Sequence, residues 1–316
     1  MKVAIGQTHV EDVPRRSRSA WLIPSDKLLP VLFILPALVT LFVILAYPLG
    51  YSFWLSLRRY VLTPPADEFI KLGNFERIYH DERVWNSLKV TFQFAIPVMA
   101  INLILGFTLA MLIHHKAKGK AFFRIVFSLP ILLTPVVVGL NWRVLFNYDF
   151  GIVNYYLGLI GIDKQLWLSD PTLAMPTLIA VDAWQTTSFV ILVLVAGLAA
   201  LPDDLFEAAR VDGASWWQQM WSITIPLLKP LFLVIILFRT FELLRVFDIV
   251  WTLTRGGPGR LTETYSFHIY AQTFRSLSFG YGAAMSYILF FISAVVSIIL
   301  IKLIGAGSEQ EADGGR

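Results

Sequence analysis

Residues 207–228 read EAARVDGASWWQQMWSITIPLL: a short polar segment, a glycine, three tryptophans, and a proline that opens an apolar run. The segment sits between two of the most hydrophobic stretches of the chain. Just upstream, Leu201-Pro202-Asp203-Asp204 has the form of a helix start, because proline fits the first turn and the acids complement the positive end of the helix dipole. Leu205, Phe206, Ala209 and Val211 supply an apolar strip, and Glu207 and Arg210 are i,i+3 neighbours. Gly213 suits a left-handed helix stop. The Trp-rich 216–221 is expected at a membrane interface, with Pro226 opening the next span. Two readings stand on physical grounds: a linker helix lying on the membrane surface, or a surface that another protein approaches closely.

The rest of the chain decides the solvent. Of 316 residues, 56% are hydrophobic and 15% are charged, against about 25% charged in ordinary soluble domains. That leaves too little polarity to cover a soluble fold, and lipid is the solvent that fits. With no cysteine, disulfides, thiolate nucleophiles and Cys-based metal sites are excluded. The net charge of +4, scattered around apolar runs, suits orientation in a bilayer and not nucleic-acid binding.

A spanning helix needs about 20 mainly apolar residues. Six stretches qualify: Leu28–Leu49, Ser87–Ile113, Phe122–Phe146, Thr172–Ala200, Ile223–Leu253 and Gly280–Ile304. Pro36, Pro97, Pro130 and Pro176 read as kinks, because neighbouring helices can satisfy the freed backbone groups. The tail 1–27 holds Lys2, Arg15, Arg16, Arg18 and Lys27, and the apolar run after it is too long for a signal peptide, so it reads as a retained first span. Lys116, Lys118 and Lys120 fall on the same side as that tail. The positive-inside tendency makes this side the cytoplasm, with both termini and the 201–222 linker facing it. Five Lys/Arg in the opposing 52–86 segment weaken the bias without reversing it. A short helix is expected near Asn74–His80, and Arg255-Gly256-Gly257-Pro258-Gly259 is a strong turn signal.

The spacing Glu207-Ala208-Ala209, three residues, Gly213, nine residues, Ile223, one residue, Ile225-Pro226 resembles the EAA signature of ABC-importer permeases. Ile225 stands where that signature has leucine. The flanking Asp212-Gly213-Ala214-Ser215 and Pro226-Leu227-Leu228, the block Leu253 to Gly259, Thr262-Glu263-Thr264 and Phe279-Gly280-Tyr281-Gly282-Ala283-Ala284 look like the carbohydrate-importer branch. The resemblance implies an all-α, six-span membrane fold of the type I importer class spanning 28–304, between tails 1–27 and 305–316. It implies that Glu207, Ala208, Ala209, Asp212 and Gly213 form a cytoplasmic coupling helix gripped by an ATP-hydrolysing subunit. It also implies a second permease (commonly a different chain), two ATP-binding subunits and an extracytoplasmic sugar-binding protein. The expected solute is a disaccharide of the trehalose or maltose kind, and the expected location is a bacterial plasma membrane.

The chain carries no engine of its own. No GxxxxGK[ST] occurs, since Gly119-Lys120 is followed by Ala121. ATP and Mg²⁺ therefore belong to the partner ATPase. No catalytic residue, metal site or cofactor is expected here: HExxH and GxSxG are missing, and the five histidines are dispersed.

Polar residues inside the spans are the candidates for a solute path, because ionisable groups at membrane depth face a bundle interior or a watery cavity. Asp182, Gln185, Thr186 and Phe189 recur on one face of the fourth span, with Trp184 alongside. Aromatic rings match the C–H faces of a sugar, and carboxylate and amide groups bind its hydroxyls. The competing reading pairs Asp182 with a structural cation such as Arg143. In the fifth span Arg239, Glu242, Arg245 and Asp248 are spaced i,i+3, and such steps spiral around a helix, so all four are not expected to face one cavity. Glu242 and Arg245 are the preferred path residues. Asn141, Trp142 and Arg143 fit either a lumen or an interface, and Gly256-Gly257-Pro258 either a docking loop or a plain turn. Two alternatives remain: a permease for another solute such as glycerol phosphate, which Arg239 and Arg245 would suit, or a self-sufficient secondary transporter, which predicts paired repeats.

Overall fold

The computed structural model describes residues 28–115 and 119–313. The tail cations Lys2, Arg15, Arg16, Arg18 and Lys27, and Lys116 and Lys118, lie outside the described residues. Two units are distinguished, one ending at Tyr51 and one beginning at Ser52. Helix α1 (Leu28–Ser56) is apolar on all faces, as a helix surrounded by lipid must be. It runs well past the expected end at Leu49.

The second unit opens with a feature that the sequence reading missed. Strands β1 (Arg58–Leu62) and β2 (Pro65–Phe69) form an antiparallel hairpin across Thr63-Pro64, and Arg58 pairs with Asp67 at 2.5 Å. Helix α2 (Gly73–His80) lies where a short helix is expected. Its buried Asn74 donates to the Ser56 and Arg58 carbonyls, tying the hairpin down.

Helices α3 (Glu82–His115) and α7 (Ala174–Ala199) are the central pair. Gly106 of α3 lies so close to α7 that a Cβ there would fall 2.5 Å from Val190 Cγ1. Without a hydrophobic drive between helices in lipid, such small residues let the backbones approach. One apolar core joins Phe94 and Val98 of α3 to Leu178 and Val181 of α7, and a second joins Ala110 to Leu194.

The third span departs from the expected single helix over Phe122–Phe146. Helix α4 (Lys120–Ser128), a 3₁₀ turn at Leu129–Leu132 and helix α5 (Pro135–Leu145) are bent by 96°. Two prolines five positions apart explain the break: each removes a donor, and the residue before Pro135, Thr134, is pushed to extended backbone. The carbonyl of Leu133 that this frees accepts a hydrogen bond from the Gln185 amide at 2.8 Å. A short helix α6 (Ile152–Leu159) follows.

Helix α8 (Asp203–Val211) occupies the first half of the 201–222 linker. The fifth span begins earlier than expected, at α9 (Trp216–Gln219), where Ser215 and Gln218 form a reciprocal capping box. A π turn at Met220–Thr224 leads into α10 (Ile225–Leu244). Pro226 is therefore accommodated inside the helical run. The span also ends earlier: the helix breaks at Arg245–Phe247, and α11 (Asp248–Leu253) is a separate piece. Helix α12 (Tyr265–Tyr270), a π turn at Ala271–Arg275 and helix α13 (Phe279–Asp313) complete the chain. Helix α13 continues beyond Ile304 into the expected 305–316 tail. Gly280 sits against the hairpin, where a Cβ would fall 2.0 Å from the Arg58 carbonyl oxygen. Among the described residues, five helices are long and apolar enough to cross a membrane, and the bent pair makes a sixth if counted as one span.

Candidate functional site

A cavity of about 680 Å³ opens between α7, α10 and the α4–α5 break. Asp182, Gln185, Thr186 and Phe189 line it from α7, four residues that the helical period places on one face. Arg239 and Glu242 come from α10, and Arg245 and Asp248 from the turn after it. All four fifth-span charges thus meet one cavity, contrary to the expectation that they spiral away. The i,i+3 rule holds only while a helix continues. This one stops at Leu244, and the turn at Arg245–Phe247 brings the later pair back.

Arg239 is the hub. It is 2% exposed, and its Nη2 donates to Asp182 Oδ2 at 2.9 Å, its Nη1 to Glu242 Oε2 at 2.5 Å and its Nε to Asn102 Oδ1 at 3.1 Å. Thr186 Oγ1 donates toward the Asp182 carbonyl at 2.7 Å and lies within reach of Asn102 Oδ1. A guanidinium removed from water demands this degree of compensation. The cation that Asp182 finds is therefore Arg239. Arg143 instead donates to the Thr252 carbonyl at the end of α11. Asn102, an amide within an otherwise apolar run, carried the signal of an intramembrane polar partner and was missed in the sequence.

Trp184 stands apart from this cavity. It faces an apolar hollow lined by Leu105, Phe127 and Ala183, and packs edge-on against Trp142 at 5.5 Å. At one position from Ala183 and two from Asp182, it projects from another face of α7. The aromatic rings that do border the charged cavity are Phe189 and Phe238, 5.7 Å apart, and Phe247.

In the coupling segment, α8 starts with Asp203 and Asp204 in its first turn. It ends in a two-bond stop, Gly213 N–H to the Arg210 carbonyl at 3.1 Å and Ala214 N–H to the Ala209 carbonyl at 2.9 Å. Gly213 has φ +77° with open space around it. Glu207, Ala208, Asp212 and Gly213 are exposed, and Ala209 is half-buried. The expected apolar strip narrows to Phe206 and Ala209, because Leu205 and Val211 are exposed, Val211 at 87%. Arg210 donates to the Phe206 carbonyl and makes no ion pair with Glu207 among the described residues.

At the opposite end of α3, Asp81 caps the helix through the Arg83 amide and accepts the Tyr281 hydroxyl at 2.7 Å. Burial alone would raise its pKa, but the Tyr281 hydroxyl and the Arg83 amide outweigh this and hold the carboxyl below its usual range. Arg83 clamps the buried Glu263 at 2.6 Å. His268 is fully buried between Ser87 and Gln272. Burial pushes its imidazole down to about 4, against a smaller opposing pull from Glu263. No group of residues suited to a metal ion occurs among the described residues.

A bundle of spanning helices with a charged, polar cavity and an exposed helix in one connecting segment defines a multi-pass membrane permease. Residues 102–306 match the family described as binding-protein-dependent transport system inner membrane component, and the chain belongs to it. The trehalose/maltose transport system permease protein MalF of Thermococcus litoralis is 36% identical over 273 residues, covering 86% of this chain and 92% of that protein. The trehalose transport system permease protein SugA of Mycobacterium tuberculosis is 34% identical over 294 residues, covering 92% and 94%. A bacterial ABC transporter involved in the import of the acidic polysaccharide alginate shares the fold, with a TM-score of 0.79 over 89% of this chain and 96% of the other at 21% identity. The chain is thus a transport subunit of an ATP-driven importer, with ATP hydrolysis on a separate subunit.

Proposed function

We propose that this permease passes a neutral carbohydrate of the trehalose or maltose kind, and that the cavity around Asp182, Gln185, Phe189, Glu242 and Arg245 is its passage. The observation that carries the reading is the charge of that cavity. Three carboxylates, Asp182, Glu242 and Asp248, face two guanidiniums, Arg239 and Arg245, a formal excess of one acid. An anionic solute such as glycerol phosphate would meet repulsion there, and of Arg239 and Arg245, the two residues that kept that alternative open, Arg239 is already held by two carboxylates. Hydroxyl groups find both donors and acceptors, and Phe189, Phe238 and Phe247 offer faces for a sugar ring. The names of the two relatives point the same way.

The end of α8 and its glycine stop, from Glu207 to Gly213 with Ala208, Ala209 and Asp212, are read as the docking handle for the ATPase, which holds ATP and Mg²⁺. Two copies of that ATPase, a second permease of different sequence and an extracytoplasmic sugar-binding protein complete the machine. The coupling helix and both chain termini face the cytoplasm. The test is a screen of the reconstituted complex for solutes that stimulate its ATPase. Trehalose or maltose should stimulate it and glycerol 3-phosphate should not; the reverse result would overturn the neutral-sugar reading.

A further inference from the structure

We infer that Arg239 is a positioning residue of the cavity: it holds Glu242 so that one carboxylate oxygen faces the solute as an acceptor for a sugar hydroxyl. The inference rests on the cavity being the carbohydrate passage.

Arginine offers five N–H donors in a rigid planar fork and no acceptor. Here the fork is spent on three acceptors from α3, α7 and its own helix: Asn102, Asp182 and Glu242. The two carboxylates it joins are not equivalent. Asp182 is enclosed, 11% exposed in its side chain, and also lies near Thr186. Glu242 is 47% exposed in its side chain and borders the cavity. Two carboxylates share one guanidinium, and Glu242 is the one whose side chain meets the cavity. Only Oε2 of Glu242 is engaged among the described hydrogen bonds, which leaves Oε1 for the cavity.

A fixed, ionised carboxylate oxygen accepts a hydroxyl in a charge-assisted hydrogen bond, roughly twice as strong as a neutral one. The same oxygen repels an anion. Free of the guanidinium, a glutamate side chain swings among several rotamers, and each binding event must then order it again. Arg239 thus sets both strength and selectivity at a neighbouring atom. Lysine at this position would keep the charge, but its single ammonium cannot hold three acceptors in one plane.

The test uses the assembled importer (this permease with its partner permease, ATPase and binding protein) in proteoliposomes. Uptake of labelled trehalose is competed with a panel of mono-deoxy trehaloses. Comparing each variant with the parent under the same binding protein cancels that protein's own preference. Arg239→Lys should raise the half-saturating trehalose concentration at least tenfold and flatten the discrimination against the deoxy analogue that Glu242→Gln also ceases to distinguish. The double variant should be no worse than either single one, because both act on the same hydrogen bond. If Glu242→Gln flattens the discrimination and Arg239→Lys does not, Arg239 is only an ion-pair partner and the inference is overturned while the passage stands. Loss of assembly in Arg239→Lys alone overturns it in the same way. If neither variant changes discrimination, the passage itself is misplaced and the inference falls with it.

Discussion

Gly139 of α5 lies against Thr252 of α11 so closely that a Cβ added to the glycine would stand 1.8 Å from Thr252 Oγ1 and 2.7 Å from its Cβ. The contact fixes the second half of the bent span against the short helix that follows the cavity. Gly139→Ala should destabilise the protein by about 1–3 kcal/mol, the usual range for overpacking, and lower its Tm in detergent. Gly158→Ala, in α6 with open space around it, should be neutral or mildly stabilising. Equal Tm values for the two variants would mean that the α5–α11 contact is looser than described.

His268 makes stability depend on pH in a defined direction. Its folded pKa of about 4 lies below the ordinary 6.5, so between these values the unfolded chain binds a proton that the folded chain refuses. Stability therefore rises with pH from about 4 to 6.5 and is flat above. The gap corresponds to something on the order of 3 kcal/mol. His268→Gln should lose less stability than the parent on going from pH 7.5 to pH 5 in detergent melts. Identical losses would show that His268 does not titrate between the two states.

The coupling segment can be altered without a clash. Because Gly213 has open space and φ +77°, Gly213→Leu strains the turn by roughly 1–2 kcal/mol and leaves the spans untouched. Together with Glu207→Ala, it should insert normally in the membrane and import less sugar per ATP hydrolysed. Normal coupling ratios in both variants would remove Glu207 and Gly213 from the ATPase contact.

Much of this architecture is legible in residue patterns, and the departures have local causes. The run from Leu201 to Gly213 announces helix, dipole and stop in order, and the structure follows it. The i, i+3, i+4, i+7 set from Asp182 to Phe189 likewise lands on one cavity wall. Composition identified the bent span as apolar but not as broken, because Pro130 and Pro135 act jointly and the Gln185 amide that donates to the freed carbonyl lies 52 positions away from it. Trp184 misled because adjacency in sequence is not adjacency on a helix face. Asp248, not expected on the cavity with the others, was misplaced for the opposite reason: periodicity was extended past Leu244, where the helix stops. The hairpin at Arg58–Phe69 is held by Asn74 and by Gly280, two contacts that no local window contains.

Passage of sugar through the cavity beside Asp182 and Glu242 can be followed by thiol protection in a chain without cysteine. Phe238→Cys places a single thiol on the cavity wall, and Leu105→Cys places one in the apolar hollow beside Trp184. The assembled complex is treated with a small water-soluble methanethiosulfonate, with and without saturating trehalose delivered by its binding protein. Trehalose should slow modification at Phe238→Cys several-fold and leave Leu105→Cys unchanged. Undiminished modification at Phe238→Cys in a complex that still imports trehalose would contradict it.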